Sequence, residues 1–123
     1  ILNPLLVAGQ VHGGIVQGIG QAMHEHAVYE EGTAQLITGS FMDYTVPRAD
    51  DMPDINFTNH VVLNPNNPLG VKGCGEAGTI GASPTIMHAI LDALRDLGVQ
   101  HIDMPATPLK VWELINSAKN KAA

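Results

Sequence analysis

The sequence is poor in cysteine, in aromatic residues and in basic residues, and these scarcities exclude several classes of protein. Cys74 is the only cysteine in 123 residues, which excludes an intrachain disulfide and a zinc site built from several thiolates. Six Lys and Arg against 12 Asp and Glu give a net charge of −6, which argues against binding to nucleic acid or anionic membranes. No apolar run approaches the roughly 20 residues of a membrane span. We expect a protein of a reducing compartment, the cytoplasm.

The remaining composition is that of a folded chain with clustered helix breakers. Apolar residues make up 45% of the sequence and charged residues 15%, a balance that argues against intrinsic disorder. The length fits one globular domain or part of one. The 13 glycines and 8 prolines are concentrated in a few segments. We therefore expect one domain over residues 1–123 and look for function where these residues cluster.

A glycine-bearing helix is predicted at the start of the chain. Asn3 followed by Pro4 is typical of a helix N-terminus, and apolar residues then recur every four positions, which predicts a helix over residues 4–29. Five glycines lie inside it and would cost roughly 4–5 kcal/mol relative to alanine. Four of them form pairs one turn apart: Gly9 with Gly13, and Gly14 with Gly18. Such pairs allow close approach of either another backbone or a ligand, and the spacing leaves both interpretations open.

The rest of the chain predicts short strands and two more helices. Residues 34–38, 55–63 and 99–104 are strand candidates. A helix is expected to start at Ser83-Pro84 and to stop at Gly98, and the last helix is expected to open at Thr107-Pro108. This order favours an α+β fold over a doubly wound βαβ repeat.

Residues 64–83 carry a density of glycine and proline that suits neither helix nor strand, which is typical of a functional loop. Within it, residues 73–78 literally match the dinucleotide-binding pattern G-x-G-x-x-G. We reject that interpretation because no strand runs into the first glycine, and Glu76 would place a carboxylate where a pyrophosphate should lie. A carboxylate flanked by Gly75 and Gly78 is a candidate general base, although from the sequence alone such a residue is more often an ordinary exposed loop glutamate.

The six histidines do not predict a metal site. His24-Glu25-His26 lacks the spacing of three or four residues that would place both rings on one helix face. The other four histidines are isolated in the sequence. We therefore expect no metal ligands among the protein side chains.

Three motifs carry a resemblance to a known family. They are residues 9–22, with the sequence GQVHGGIVQGIGQA; residues 39–49, which contain GSFMDY and PRA; and residues 70–78, with the sequence GVKGCGEAG. In this order they closely resemble the C-terminal part of the large, molybdopterin-binding subunit of molybdenum hydroxylases, the family of xanthine oxidase, aldehyde oxidase and carbon monoxide dehydrogenase. The resemblance implies that the chain is a fragment of a larger molybdopterin-binding domain.

The resemblance also assigns roles to individual residues. Glu76 matches the family's active-site glutamate, the general base in hydroxylation of a carbon with water-derived oxygen. Gln10 matches a glutamine that contacts the molybdopterin, and Gln17, Gly75 and Gly13 are further candidates for the same pocket. The cofactor implied is molybdopterin with molybdenum, with the cytosine dinucleotide form as one alternative. Its dithiolene would hold the metal, so protein ligands are not needed.

The implied partners are the remainder of the large subunit, an iron–sulfur subunit, a subunit carrying FAD, and a small-molecule substrate. Residues 77–80 differ from those that follow the glutamate in the copper-containing carbon monoxide enzymes, which favours an aldehyde or an N-heterocycle as substrate. A carbon monoxide dehydrogenase-type chain and a non-catalytic assembly module are the alternatives. Apolar surface that would face the missing part of the subunit predicts self-association of the chain on its own.

Overall fold

The computed structural model describes the backbone of residues 1–122 and the side chains of residues 1–120, and it is mostly helical. Helix α1 spans Pro4–Met23, α2 spans Thr79–Leu94 and α3 spans Pro108–Ala122, with short 3-10 turns at Ala49–Asp51 and Arg95–Leu97. None of these helices is long and apolar enough to cross a membrane. The three predicted helices are confirmed, but their bounds differ from the predictions in informative ways.

Helix α1 begins where the sequence predicts and ends earlier. The side-chain Oδ1 of Asn3 accepts a hydrogen bond from the N–H of Leu6 at 3.1 Å, which caps the helix. At the other end, the N–H groups of His24 and Glu25 both donate to the carbonyl of Gly20, at 2.9 and 2.8 Å. This shared acceptor closes the helix at Met23, so the prediction that it continues to residue 29 is wrong.

The predicted strands are not present in the described residues. The one β contact there is an isolated antiparallel bridge between Tyr29 and Leu36, of which only Leu36 belongs to the first strand candidate. Residues 55–63 and 99–104 form no backbone hydrogen bonds with a neighbouring segment. Alternation and β-branching favour a strand only where a partner edge receives its hydrogen bonds, and this part of the chain offers none. The α+β expectation is therefore borne out for its helices alone.

Helix α2 begins at Thr79, four residues before the predicted start at Ser83, so that Pro84 lies inside the helix. The hydroxyl of Ser83 does not cap its own helix; it donates to the carbonyl of Gly18 in α1 at 3.2 Å. A tertiary contact has thus taken the side chain that the sequence pattern assigns to capping. Gly98 ends the segment as predicted, with a left-handed φ of 75°.

Helices α1 and α2 lie side by side and run in the same direction. Thr79 Oγ1 donates to the carbonyl of Gly14 at 2.6 Å, and one turn further on Ser83 Oγ donates to that of Gly18. The glycines permit this approach, because a Cβ on Gly14 would lie 3.0 Å from the nitrogen of Thr79, and one on Gly18 would collide with the Cβ of Ala82. The pair Gly14 and Gly18 therefore serves helix packing.

The core lies at the carboxyl end of α1. Ala22 of α1, Met87 of α2 and the loop residues Ile102 and Ala106 form one buried cluster. The N–H of Ala106 donates to the carbonyl of Ala22 at 2.7 Å, so the loop before α3 also satisfies the end of α1. The core thus holds the two helices together at the carboxyl end of α1. No residue from the amino end of α1 belongs to this buried cluster.

The buried hydroxyl of Ser83 gives a first test of this packing. Ser83→Ala is expected to destabilise the chain by about 1 kcal/mol, because the carbonyl of Gly18 loses a hydrogen-bond donor in a buried setting. Ser117→Ala on the exposed surface of α3 is the matched control and should change the free energy of unfolding by less than about 0.5 kcal/mol. Urea denaturation of both variants measures the difference. Equal stabilities would show that the hydrogen bond contributes nothing.

Candidate functional site

The segment before Glu76 is fixed by an asparagine turn. The side chain of Asn67 bonds both backbone groups of Val71: Nδ2 donates to the carbonyl at 2.9 Å, and Oδ1 accepts from the N–H at 3.1 Å. The N–H of Asn64 donates to the carbonyl of Gly70 at 3.0 Å. These contacts close residues 64–71 into a compact loop, so the glycine-rich residues 72–78 leave it from a defined position.

Glu76 lies in the turn that leads into α2. Its carbonyl accepts a hydrogen bond from the N–H of Ile80 at 3.0 Å, and the N–H of Ala77 donates to the carbonyl of Cys74 at 3.2 Å. The Glu76 side chain is exposed and forms no ion pair within the described residues. No charged side chain in this part of the chain therefore competes for its carboxylate.

Gln10 connects α1 to this turn. Its Nε2 donates to the carbonyl of Gly75 at 2.7 Å, across 65 residues of sequence. Since a carbonyl oxygen only accepts hydrogen bonds, the amide faces Gly75 with its nitrogen, and Oε1 has no hydrogen-bond partner among residues 1–120. The side chain of Gln10, from the first motif, thus holds the backbone next to Glu76, in the third motif.

Gln17 and Gly13 lie along the same face of α1 as Gln10, because positions 10, 13 and 17 recur at helical spacing. Gln17 Oε1 is 3.5 Å from Thr79 Oγ1, at the start of α2. Gly13 is exposed, and a Cβ placed on it would meet nothing within 4 Å. The structure brings Gln10 to Gly75, the neighbour of Glu76, and places Gln17 beside the start of α2, whereas it gives Gly13 no close contact.

The glycines near the site fall into two groups. Gly14, Gly18 and Gly78 are packed so closely that a side chain would collide with the neighbouring segment. The others are open: a Cβ would meet nothing within 4 Å at Gly9, Gly13, Gly73 and Gly75. Packing within this part of the chain explains the first group only. The open group leaves a surface on which a flat ligand could approach the backbone closely.

Sequence reasoning missed the residues that join the two helices. Thr79 and Ser83 carry the contacts to α1, and Asn67 shapes the loop, but the sequence predicts none of these roles and assigns Ser83 to the start of α2 instead. A signal was present, since Thr79 and Ser83 are four apart, like Gly14 and Gly18. Two small hydroxyl residues at the spacing of a glycine pair are suited to a close helix contact.

The second motif lies elsewhere, beside the carboxyl end of α1. The hydroxyl of Tyr44 donates to Oε2 of Glu25 at 2.7 Å, and this hydrogen bond raises the pKa of Tyr44 above its usual value. A Cβ on Gly20, near that end of the helix, would touch the ring of Pro47 at 2.9 Å. Residues 39–49 therefore contact the opposite end of α1 from Gln10.

The described side chains contain no group of three His, Cys, Asp or Glu residues placed to hold a metal ion. Any metal at this site would need a ligand set supplied by another molecule or another part of a larger protein.

Comparison with known proteins places the chain in a family. A model described as a molybdopterin cofactor-binding domain matches residues 1–53, which include α1. Subunit gamma of the 6-hydroxypseudooxynicotine dehydrogenase complex of Paenarthrobacter nicotinovorans is 45% identical over 113 residues, which are 91% of this chain and 14% of that protein. The carbon monoxide dehydrogenase large chain of Hydrogenophaga pseudoflava is 35% identical over 112 residues, again 91% of this chain and 14% of the relative.

A solved structure agrees with these matches. Quinoline 2-oxidoreductase from Pseudomonas putida 86 superposes with a TM-score of 0.87 and 38% identity, over 94% of this chain and 15% of that one. The chain spans about 14% of the length of the relatives it matches. The resemblance seen in the three motifs is thereby confirmed. The chain belongs to the molybdenum hydroxylases of the xanthine oxidase family and corresponds to a segment of their molybdopterin-binding large subunit.

Proposed function

We propose that the chain forms one wall of the active site of a molybdenum hydroxylase, with Glu76 as the general base. Gln10, Gly13, Gln17 and Gly75 would line the molybdopterin. The observation that carries the proposal is the 2.7 Å hydrogen bond from Gln10 to Gly75, which joins two family-like motifs separated by 65 residues. We also propose that residues 1–123 together form a single C-terminal portion of the cofactor-binding domain.

The open glycines support a bound cofactor at this face. A glycine in a helix costs about 1 kcal/mol relative to alanine, and no close contact in this part of the chain accounts for Gly9 or Gly13. A planar ring system lying against α1 would account for both, since a side chain there would hold it off the backbone. The unpartnered Oε1 of Gln10 suits a ring N–H, because an amide oxygen accepts hydrogen bonds.

When bound, the molybdenum cofactor supplies the two-electron redox chemistry that hydroxylation requires. The carboxylate of Glu76 accepts the proton lost by the water-derived nucleophile as it attacks the substrate carbon. Gln10 holds the backbone on the amide side of Glu76, and the amide of Ile80 holds the carbonyl of Glu76. Gly13 and Gly75 leave room for the ring system beside the base.

An N-heterocycle or an aldehyde is the proposed substrate class. The solved relative named for quinoline, an aromatic N-heterocycle, is 38% identical to this chain, and the relative named for 6-hydroxypseudooxynicotine is 45% identical. The carbon monoxide dehydrogenase large chain is 35% identical. These values favour a heterocycle over carbon monoxide.

The proposed partners are the remainder of the large subunit, an iron–sulfur subunit and an FAD subunit. Large apolar side chains are exposed on several elements, among them Leu5 at 81%, Met42 at 92% and Trp112 at 62%. Surfaces of this kind mark contacts with other protein surfaces. An iron–sulfur cluster held by four thiolates needs more cysteines than Cys74 alone, so electrons would leave through other parts of the complex.

The function is tested by expressing the complete large subunit with its iron–sulfur and flavin subunits. We expect molybdenum in the purified complex and hydroxylation of quinoline or an aromatic aldehyde with oxygen from labelled water. Oxidation of carbon monoxide alone would assign the chain to the alternative enzyme class. A molybdenum-loaded complex that turns over none of the three substrate classes would contradict the proposal.

The 123-residue chain by itself is expected to have no hydroxylase activity. It supplies one wall of the proposed pocket, and its single cysteine cannot build an electron relay. The measurement is substrate-dependent dye reduction by the purified chain after incubation with a molybdopterin source, beside the complete complex as control. Turnover by the chain alone would contradict the assignment of the missing wall to the rest of the subunit.

A further inference from the structure

We infer that Gln10 is a positioning residue for Glu76, acting through the backbone carbonyl of Gly75. This inference rests on the proposed function, in which Glu76 is the base, and it goes beyond a role for Gln10 in lining the cofactor. The contact that carries it is the 2.7 Å bond from Nε2 of Gln10 to the oxygen of Gly75.

The carbonyl of Gly75 belongs to the peptide unit that joins Gly75 to Glu76 and ends at the Cα of Glu76. Because a peptide unit is planar, fixing its oxygen also fixes the direction in which its N–H and the following Cα lie. Gln10 therefore sets the point from which the Glu76 side chain starts. A side chain 65 residues away determines the orientation of this one peptide unit.

Gly75 would otherwise leave that peptide unit free to rotate. It is exposed, and a Cβ on it would meet nothing within 4 Å, so neither packing nor a side chain restricts it. The turn contributes one bond of its own, from the N–H of Ala77 to the carbonyl of Cys74 at 3.2 Å. This bond spans Gly75 and Glu76 without touching the groups of the peptide unit between them, so it does not replace the contact from Gln10.

Glu76 is thereby held from both sides. On its carbonyl side, the amide of Ile80 at the start of α2 donates to it at 3.0 Å. On its amide side, Gln10 is the restraint. The position of Gln10 along the α1 axis relative to α2 is itself fixed. One turn after Gln10, the carbonyl of Gly14 accepts a hydrogen bond from Thr79 at 2.6 Å, which holds α1 against α2.

Two substitutions separate this role from cofactor binding. Gln10→Glu keeps the size of the side chain and replaces the donor with an acceptor-only carboxylate, whereas Gln10→Lys keeps an N–H donor and removes the acceptor Oε1. In the complete complex, we expect Gln10→Glu to lower kcat per bound molybdenum by about 10- to 100-fold with little change in KM, because misplacing a catalytic group by about 1 Å costs this much. Gln10→Lys loses the proposed cofactor contact but keeps the donor, so it should lower kcat per molybdenum clearly less than Gln10→Glu does. Gln21→Glu, exposed on α1, is the charge-matched control and should behave like wild type.

Hydrogen exchange of residues 74–80 supplies a readout that does not depend on turnover. In the cofactor-free complex, the amides of Ala77 and Ile80 should exchange faster in Gln10→Glu than in wild type, Gln10→Lys or Gln21→Glu. Unchanged exchange in Gln10→Glu, or an equal loss of kcat per molybdenum in Gln10→Lys and Gln10→Glu, would overturn the inference. Loss of activity only in proportion to molybdenum would also overturn it and leave Gln10 as a cofactor contact. If the wild-type complex hydroxylates nothing, the proposed function fails, and the exchange comparison still decides whether Gln10 positions the turn.

Discussion

Glu76→Gln in the complete enzyme is expected to lower kcat at least about 100-fold while the molybdenum content stays near that of wild type. Glutamine has nearly the same size and cannot accept the proton that the proposed reaction releases. The backbone contacts that hold this position, from Gln10 and from Ile80, involve main-chain carbonyls and survive the change. Steady-state kinetics normalised to molybdenum measure the effect.

Glu113→Gln provides the control for removing one negative charge. Glu113 is an exposed residue of α3, distant in sequence from the site, and its replacement should leave kcat unchanged. Glu76→Gln with more than a tenth of wild-type kcat per molybdenum would show that another group is the base. A parallel loss of molybdenum would instead show that Glu76 supports the binding of the cofactor.

Gly18→Val is expected to destabilise the 123-residue chain by about 2–4 kcal/mol. A Cβ at this position collides with that of Ala82 and lies 3.2 Å from the nitrogen of Ser83, so the helices must separate. Overpacking of this kind costs about 1–3 kcal/mol, and loss of the bond from Ser83 to Gly18 adds about 1 kcal/mol. Urea denaturation followed by circular dichroism measures the change.

Gly13→Ala is the matched substitution in the same helix, and its expected effect has the opposite sign. An alanine there meets no atom within 4 Å and should raise the free energy of unfolding by about 1 kcal/mol through helix propensity. If both substitutions destabilised the chain, the open face of α1 would have a contact in solution that this structure lacks. If Gly18→Val left the free energy of unfolding unchanged, the result would contradict the close packing of α1 on α2 at this position.

Local signals at helix starts were sufficient to predict where two of the three helices, α1 and α3, begin. Asn3-Pro4 and Thr107-Pro108 open α1 and α3, and Thr107 Oγ1 accepts from the N–H of Lys110 at 3.3 Å. These are short-range effects, in which the capping side chain and the capped amide are three residues apart. Residue pairs so close in sequence can be recognised without knowledge of the fold.

The end of α1, the start of α2 and the strands depended on contacts that the sequence does not display. Whether α1 stops at Met23 depends on the shared carbonyl of Gly20 and on the loop residue Ala106, which bonds Ala22. The strand candidate at 55–63 has the right pattern but no neighbouring edge in the described residues. Ser83 has the composition of a cap and serves α1 instead. In each case a distant residue decides the outcome.

The site was predicted by resemblance and only weakly by composition. The residues themselves left Glu76 as either a base or an ordinary loop glutamate, and left the glycine pairs of α1 with two interpretations. The structure assigns one of the two pairs: Gly14 and Gly18 pack against α2, whereas a Cβ on Gly9 or Gly13 would meet nothing within 4 Å. The bond between Gln10 and Gly75 could not be predicted, because nothing local specifies a partner 65 residues away.

Three hydrogen bonds between α1 and residues 75–83 join residues the same number of positions apart. This shared offset determines where the chain can tolerate insertions and deletions. The hydrogen bonds that Gln10, Gly14 and Gly18 form with the later segment each join residues 65 apart. Successive turns of α1 therefore pair with successive turns of residues 75–83. Insertions between α1 and the turn would lengthen only the connection and leave every matched pair intact. Deleting one residue between Gly75 and Thr79 would break the shared offset, because Gln10 could then not reach Gly75 while Thr79 still bonds Gly14. Length variation among natural relatives should therefore be absent from residues 75–83 and occur in the connection outside the motif at 39–49 and the loop at 64–71.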